Sequence, residues 1–435
     1  MQITVIGQPF TSRKVCLPAS KSISNRALVI NALSGKGMTP ENLSDCDDTF
    51  VMVRGLGKLE MKNEKLKNSN KALNTQDSAS PANGELPVID IMAAGTAMRF
   101  LTAYLSVTEG GTRIITGTER MRHRPISVLV DALRQLGAEI AYTENEGFPP
   151  LRITGRKLEG GEISLPGNVS SQYVSALLMI GPMLSKGLTL KLTGEIVSRP
   201  YIDMTLGIMR EFGGKAAWHG EDCICVEPTP YAPIPYYIEN DWSASSYWYE
   251  MVALTPGSEV VLPGLFEQSW QGDQAVKDIF AKLGVGTAFL PDGQGVKLSH
   301  TGNCVERLDI DMLRQPDLAQ TVVVTCCMLG IPFRITGLQS LKIKETDRIL
   351  ALRTELKKLG YVIGEAEDSI LFWNGDRCEA DAQPAIDTYE DHRMAMSFAP
   401  CAQILSEIRI NNPQVVSKSY PSFWEAFNIK TSEPC

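Results

Sequence analysis

An α/β (α+β) fold of repeated units, split over two domains, is predicted by a 435-residue chain in which one pattern recurs four times. In it a β-branched run ends in glycine, a polar corner follows, and an apolar helical pattern stops at Leu-Gly or Phe-Gly. The runs end at Gly117, Gly194, Gly264 and Gly337, and the stops fall at Gly137, Gly213, Gly284 and Gly360. Successive stops lie 76, 71 and 76 residues apart. A period this long marks a repeated supersecondary unit rather than a short-repeat solenoid. A chain of this length also exceeds what one core usually serves, so two domains of about 200 residues are expected.

The strand signals are Gly111–Gly117, Gly187–Gly194, Gly257–Gly264 and Ile331–Gly337, where polar and apolar residues alternate as on a sheet with one covered face. Helices are expected at Pro125–Leu136, Pro200–Phe212, Asp273–Leu283 and Asp347–Leu359, with strands to follow, as at Ala138–Tyr142 and Tyr361–Ile363. Lys58–Leu86 interrupts the scheme with Lys, Asn, Ser and Glu, and residues 66–86 read as a mobile loop. The proline-rich Tyr231–Tyr237 makes 239–241 the expected crossing between domains.

Composition narrows the function. A net charge of -8 argues against a general nucleic-acid binder, though cations gathered locally would still attract a small anion. Ten scattered cysteines without a CxxC pair read as buried free thiols, and four histidines give no zinc-site spacing. The start MQITVIGQPF lacks a signal-peptide pattern, and the longest apolar stretches, Ser175–Leu184 and Thr321–Pro332, are too short for a bilayer. A cytoplasmic protein is expected, with no membrane or nucleic-acid partner.

The corners carry the chemistry. Leu17–Leu28 (LPASKSISNRAL) sets Lys21, Ser22 and Arg26 in the first turns of a helix, where N–H groups, a hydroxyl and cations suit an anion. Ala94–Arg99 (AGTAMR) opens a helix with small residues that let a ligand approach the backbone. In Thr118–Pro125 (TERMRHRP), Arg124 is placed to grip a phosphate or carboxylate. Ser170, Ser171 and Gln172 open another apolar helix, and Glu195–Ile202 fills the next corner. Lys342–Arg348 (KIKETDR) reads either as an ion-paired helix cap or as an acid/base group flanked by cations. Asp317, Arg393 and Lys418 lie at further element ends. Lys21, Arg26, Arg99, Arg124, Arg348, Arg393 and Lys418 thus gather at termini of an acidic chain, as two multiply charged small anions would require.

Taken together, LPASKSISNRAL, AGTAMR, the RP corner, SSQ, SRPYID, PD, KETDR, DHRMAM and the final SK resemble the EPSP synthase (3-phosphoshikimate 1-carboxyvinyltransferase) family of enolpyruvyl transferases, in the family's order over nearly the whole chain. The resemblance implies a two-domain inside-out α/β barrel, each domain holding three β-α-β-α-β-β units. Residues 1–19 would join 241–435 in one lobe and 20–240 would form the other, with a crossing also near 19–21. Loop tips are then expected to meet in one electropositive cleft. The implied reaction moves the enolpyruvyl group of phosphoenolpyruvate to the 5-hydroxyl of shikimate 3-phosphate, on the route to chorismate and aromatic amino acids. It implies no cofactor or metal, and a monomer that glyphosate can inhibit.

By motif, Lys21, Ser22, Arg26, Ser170, Ser171, Gln172, Ser198, Asp317, Ser340 and Lys344 would face shikimate 3-phosphate. Lys21, Gly95, Arg124, Gln172, Arg348, Arg393 and Lys418 would hold phosphoenolpyruvate, and Lys21, Asp317 and Glu345 would be catalytic. Asp317 resembles the proton acceptor at the attacking hydroxyl, and Glu345 the group exchanging a proton with the methylene carbon. The chain departs from the family at Ala93 and Ser340, where Asn is usual, and at Asp241-Trp242-Ser243-Ala244, where Asp-Ala-Ser-Ser is usual. Two rivals are a UDP-N-acetylglucosamine enolpyruvyl transferase, whose reactive cysteine is missing from Gly111–Pro125, and a non-catalytic anion-binding relative, disfavoured by Lys21, Asp317 and Glu345 together.

Overall fold

A computed structural model describes residues 1–35, 38–57, 86–291 and 293–427. Residues 66–85 of the loop expected above lie outside them. The chain forms two compact units, residues 19–238 and residues 1–18 with 239–435.

The continuous unit holds two four-stranded sheets of one design. Val88–Asp90 runs parallel to Thr112–Thr116, which pairs antiparallel with Leu151–Thr154, and that strand with Glu139–Tyr142. Gly161–Pro166, Leu188–Thr193, Cys223–Val226 and Ala216–His219 repeat the order and the directions. Leu188, Leu190 and Leu192 alternate inward along their strand, which is the period that fixes the covered face. Helices Lys21–Leu33, Gly95–Val107, Ser171–Ile180 and Arg199–Glu211 pack together over this core.

The other unit repeats the design with strands from both chain ends. Ser12–Lys14 runs parallel to Glu259–Pro263, which is followed across the sheet by Gly295–Cys304 and Leu283–Phe289. Leu308–Asp311, Phe333–Thr336, Ile370–Trp373 and Gly364–Ala366 form the next sheet. A three-stranded sheet joins Ala385–Ile386, Glu407–Asn411 and Gln2–Ile6. Gly337 ends its strand at φ +76, and an added Cβ would strike Asp311 and Leu313, so only glycine turns this corner.

Three local expectations change. Asp273–Leu283 is not one helix: a tight turn at Gly272–Ala275 leads into Val276–Ala281, and buried Leu283 already starts a strand, kinked by a register shift before Val285. The strand expected at Tyr361–Ile363 lies at Gly364–Ala366, with Tyr361 bridging Arg377 alone. Among the described residues the cysteines are free, but Cys16, Cys304 and Cys378 are exposed rather than buried.

Glu239, the first residue after the crossing, is buried and accepts hydrogen bonds from the Ser269 hydroxyl and, at 3.3 Å, Phe266 N. Burial pushes its carboxyl from 4.5 to about 7, against those bonds. The folded state therefore binds this proton more tightly than the unfolded one. Its stabilising contribution is complete below 4.5 and is lost as pH rises through about 7. Thermal midpoints measured from pH 4.5 to 8 are expected to show this fall, and Glu239→Gln to flatten it. An unchanged slope in the variant would exclude Glu239 as the cause.

Candidate active site

In the unit of residues 19–238, most of the expected site residues lie at helix starts. Ser20 caps the first helix, its Oγ accepting from Ile23 N at 3.4 Å, and leaves Lys21 and Ser22 in the first turn. Lys21 Nζ pairs with Asp48 at 3.2 Å. Arg26 is 3% exposed and serves as an internal bolt. It donates to Thr205 Oγ1 at 2.7 Å, Ser22 O at 2.9 Å, Ser175 Oγ at 3.1 Å and Tyr201 O at 3.3 Å. The N-terminal halves of three helices are thereby tied together. Burial lowers Arg26 to about 10, and the partners above are all uncharged, so positive potential accumulates at these N-termini. Arg26 thus has a structural role as well, tying helices together through its donors.

Gly95 opens its helix beside Arg124: a Cβ there would lie 2.6 Å from Arg124 Nη1. Gln172 Nε2 donates to Thr96 Oγ1 at 3.1 Å, and Ser170 caps the Ser171–Ile180 helix through Gln172 N at 3.3 Å. Arg99 and Tyr173 both donate to Pro125 O, at 3.2 and 2.5 Å, which fixes the corner that carries Arg124. Gly95, Arg124, Ser170, Ser171 and Gln172 thus form one group. Ser198 is buried in the left-handed region at φ +54, just ahead of Arg199–Glu211.

In the other unit, Asp317 and Glu345 are set among four cations. Asp317 pairs with Arg393 at 2.9 Å, Arg348 at 3.2 Å and Lys344 at 3.6 Å. Glu345 pairs with Arg348 at 2.9 Å and Lys418 at 3.0 Å. The helix His392–Phe398 packs on both Ala319–Leu329 and Pro413–Lys418, which brings Arg393, Asp317 and Lys418 into reach. Burial alone would raise Asp317, but Arg393, Lys344 and Arg348 overcome it and hold the carboxyl well below its usual range. Lys344 and Glu345 precede the helix expected over Asp347–Leu359. They lie in the bend after Gln339–Ile343, and the helix starts at Arg348, with Asp347 Oδ1 accepting from Leu350 N at 3.0 Å. Ser340 Oγ is buried with no hydrogen-bond partner among the described residues.

Sequence reasoning missed Asp391, Asp48 and Asp273. Asp391 is wholly buried, accepts from Arg348 Nε at 2.6 Å and caps the Arg393 helix through Arg393 N at 2.9 Å. Its signal was the DHR triplet, an acid one residue before a helix start. Lys21 in one unit, and Lys344, Arg348, Arg393 and Lys418 in the other, therefore already have internal counter-ions. Among the described residues no group of three or more His, Cys, Asp or Glu side chains could hold a metal ion, and no helix is long and apolar enough to cross a membrane.

Repeated α/β sheets with cations and carboxylates at helix entries define an enzyme class that works on small, multiply charged anions. The profile of the EPSP synthase (3-phosphoshikimate 1-carboxyvinyltransferase) family matches residues 8–427, and the chain belongs to that family. It is 57% identical over 422 residues to a 3-phosphoshikimate 1-carboxyvinyltransferase of Bacteroides fragilis, covering 96% of each chain. The enzyme of that name from Shewanella halifaxensis is 38% identical over 420 residues, again 96% of each. Among solved structures, the EPSP synthase of Acinetobacter baumannii superposes with a TM-score of 0.71 at 21% identity, covering 98% of this chain and 97% of the other. The enolpyruvyl transferase NikO of Streptomyces tendae gives 0.67 at 14% identity, covering 98% and 96%.

Proposed function

We propose that both residue sets act in one reaction, the transfer of the enolpyruvyl group of phosphoenolpyruvate to the 5-hydroxyl of shikimate 3-phosphate. The products are 5-enolpyruvylshikimate 3-phosphate and phosphate, and the step feeds chorismate and aromatic amino-acid synthesis. The observation that carries the assignment of roles is the pair Asp317 and Glu345, two carboxyls held by Lys344, Arg348, Arg393 and Lys418.

Lys21, Ser22, Arg26, Ser170, Ser171, Gln172, Ser198, Asp317, Ser340 and Lys344 bind shikimate 3-phosphate, and Arg26 also ties helices together. Lys21, Gly95, Arg124, Gln172, Arg348, Arg393 and Lys418 bind phosphoenolpyruvate. Asp317 takes the proton of the 5-hydroxyl as that oxygen bonds to C2 of phosphoenolpyruvate. Glu345 gives a proton to C3, so the first half-reaction ends as a tetrahedral ketal. Glu345 then removes a proton from the new methyl group, the C2–C3 double bond re-forms, and the phosphate C–O bond breaks. Cations stabilise the departing phosphate, and acid/base groups serve both sides of the reacting carbon. The protein works as a cytoplasmic monomer, and glyphosate competes for the phosphoenolpyruvate cations, with Ala93 altering that contact.

Phosphate release with both substrates, and none with either alone or with UDP-N-acetylglucosamine as acceptor, tests the reaction. Release with the UDP sugar would favour the sister activity. Gly95→Ala tests the binding roles: a methyl group 2.6 Å from Arg124 Nη1 displaces the guanidinium. The KM for phosphoenolpyruvate is expected to rise about tenfold, with the KM for shikimate 3-phosphate nearly unchanged. Equal changes in both would separate Gly95 from phosphoenolpyruvate.

A further inference from the structure

A second buried carboxyl stands near Asp317 and has no part in the chemistry above. Asp273 belongs to the turn Gly272–Ala275, is 3% exposed and accepts a hydrogen bond from the Ser243 hydroxyl. Ser243 is itself placed by Asp241, whose Oδ1 accepts from Ser243 N at 2.8 Å. The helix Trp242–Ala253 that starts here packs against both Gly272–Ala275 and Pro316–Leu318, so the turns bearing Asp273 and Asp317 share one support. The charged groups acting on Asp273 are Asp317 from its turn, Arg393 from His392–Phe398 and Asp241 from the head of the supporting helix.

Three cations on Asp317 create a difficulty for a base. They keep it ionised but weaken its hold on a proton taken from an alcohol. A nearby negative charge offsets them, since repulsion between two carboxylates acts on both equally. We propose that Asp273 is a positioning residue for the transfer: its charge opposes the cations around Asp317 and engages Arg393, leaving Asp317 basic enough to accept the 5-hydroxyl proton. This rests on the reading of Asp317 as the base.

Burial, then Asp317, push Asp273 up to about 6, against Ser243 and Arg393. It is therefore charged above that pH and neutral below it. Asp273→Asn keeps the shape while fixing the neutral state. The test compares kcat of wild type and variant from pH 5 to 8.5; substrate phosphates titrate in the same range but affect both enzymes alike. The ratio is expected to be near one at pH 5 and to rise to about tenfold at pH 8, with KM changed little. Ser243→Ala removes a bond that favours the charged form, so in that background the midpoint of the rise moves to higher pH. A ratio that is flat with pH, or a midpoint unmoved by Ser243→Ala, overturns the proposal even if Asp273→Asn folds poorly. Asp317→Asn separates the two readings. Retained turnover there removes Asp317 as the base, whereas its loss alongside a flat Asp273 ratio removes only the positioning role.

Discussion

Replacing Asp391 with alanine is expected to lower the unfolding free energy by about 3–5 kcal/mol, as breaking one side of a buried ion pair does. Arg348 is almost wholly buried, and Asp391 takes its Nε at 2.6 Å and its Nη2 at 3.4 Å. Burial opposes the charge on Arg348, but Asp391, Glu345 and Asp317 overcome it and hold the guanidinium above its usual value. Without Asp391 that charge has only the two proposed catalytic carboxyls, Asp317 and Glu345, and the helix His392–Phe398 loses its cap. Denaturant unfolding reads the stability, and phosphate release reads turnover, expected to fall about a hundredfold as the carboxyls shift. The double variant Arg348→Met, Asp391→Leu is expected to regain much of the stability and none of the activity. Unfolding of Asp391→Ala at the wild-type midpoint would show that Arg348 is anchored elsewhere.

Glu345→Gln is expected to cut turnover by about two to four orders of magnitude while both substrates still bind. The amide keeps the size of the side chain but holds no exchangeable acid, and its NH2 must face either Arg348 or Lys418, which now meet at the two carboxylate oxygens at 2.9 and 3.0 Å. Solvent deuterium entering C3 of phosphoenolpyruvate during turnover gives an independent readout. Its disappearance in the variant, with KM values within a few-fold, marks Glu345 as the carbon acid/base. Normal exchange would assign that proton to another group.

Much of this was legible from the chain. Glycines 117, 194, 264 and 337 each follow a strand, because local alternation and a sharp corner leave their own marks on the sequence. Ser20, Ser170 and Asp347 cap their helices, and Ser and Asp just ahead of an apolar run are a local signal of a helix start. Less visible was what each charge touches. Arg26 carries the local mark of a ligand-facing cation, but nothing local shows that it also spans helices through Ser175, Tyr201 and Thr205, residues far away in sequence. Asp273 sat inside an expected helix, yet its weight comes from Ser243 and the Asp317 turn, a pairing set by tertiary packing that no local spacing announces.

The pairing of Gln2–Ile6 with Glu407–Asn411 has a consequence for synthesis. On the ribosome the first strand emerges long before its neighbour: Gln2 waits for Asn411, roughly 20–80 s at ordinary elongation rates. Both described four-stranded sheets of residues 19–238 are meanwhile supplied from within that unit. Translation thus delivers the continuous unit first, and Gln2–Ile6 stays an unclaimed edge until Glu407–Asn411 has been made.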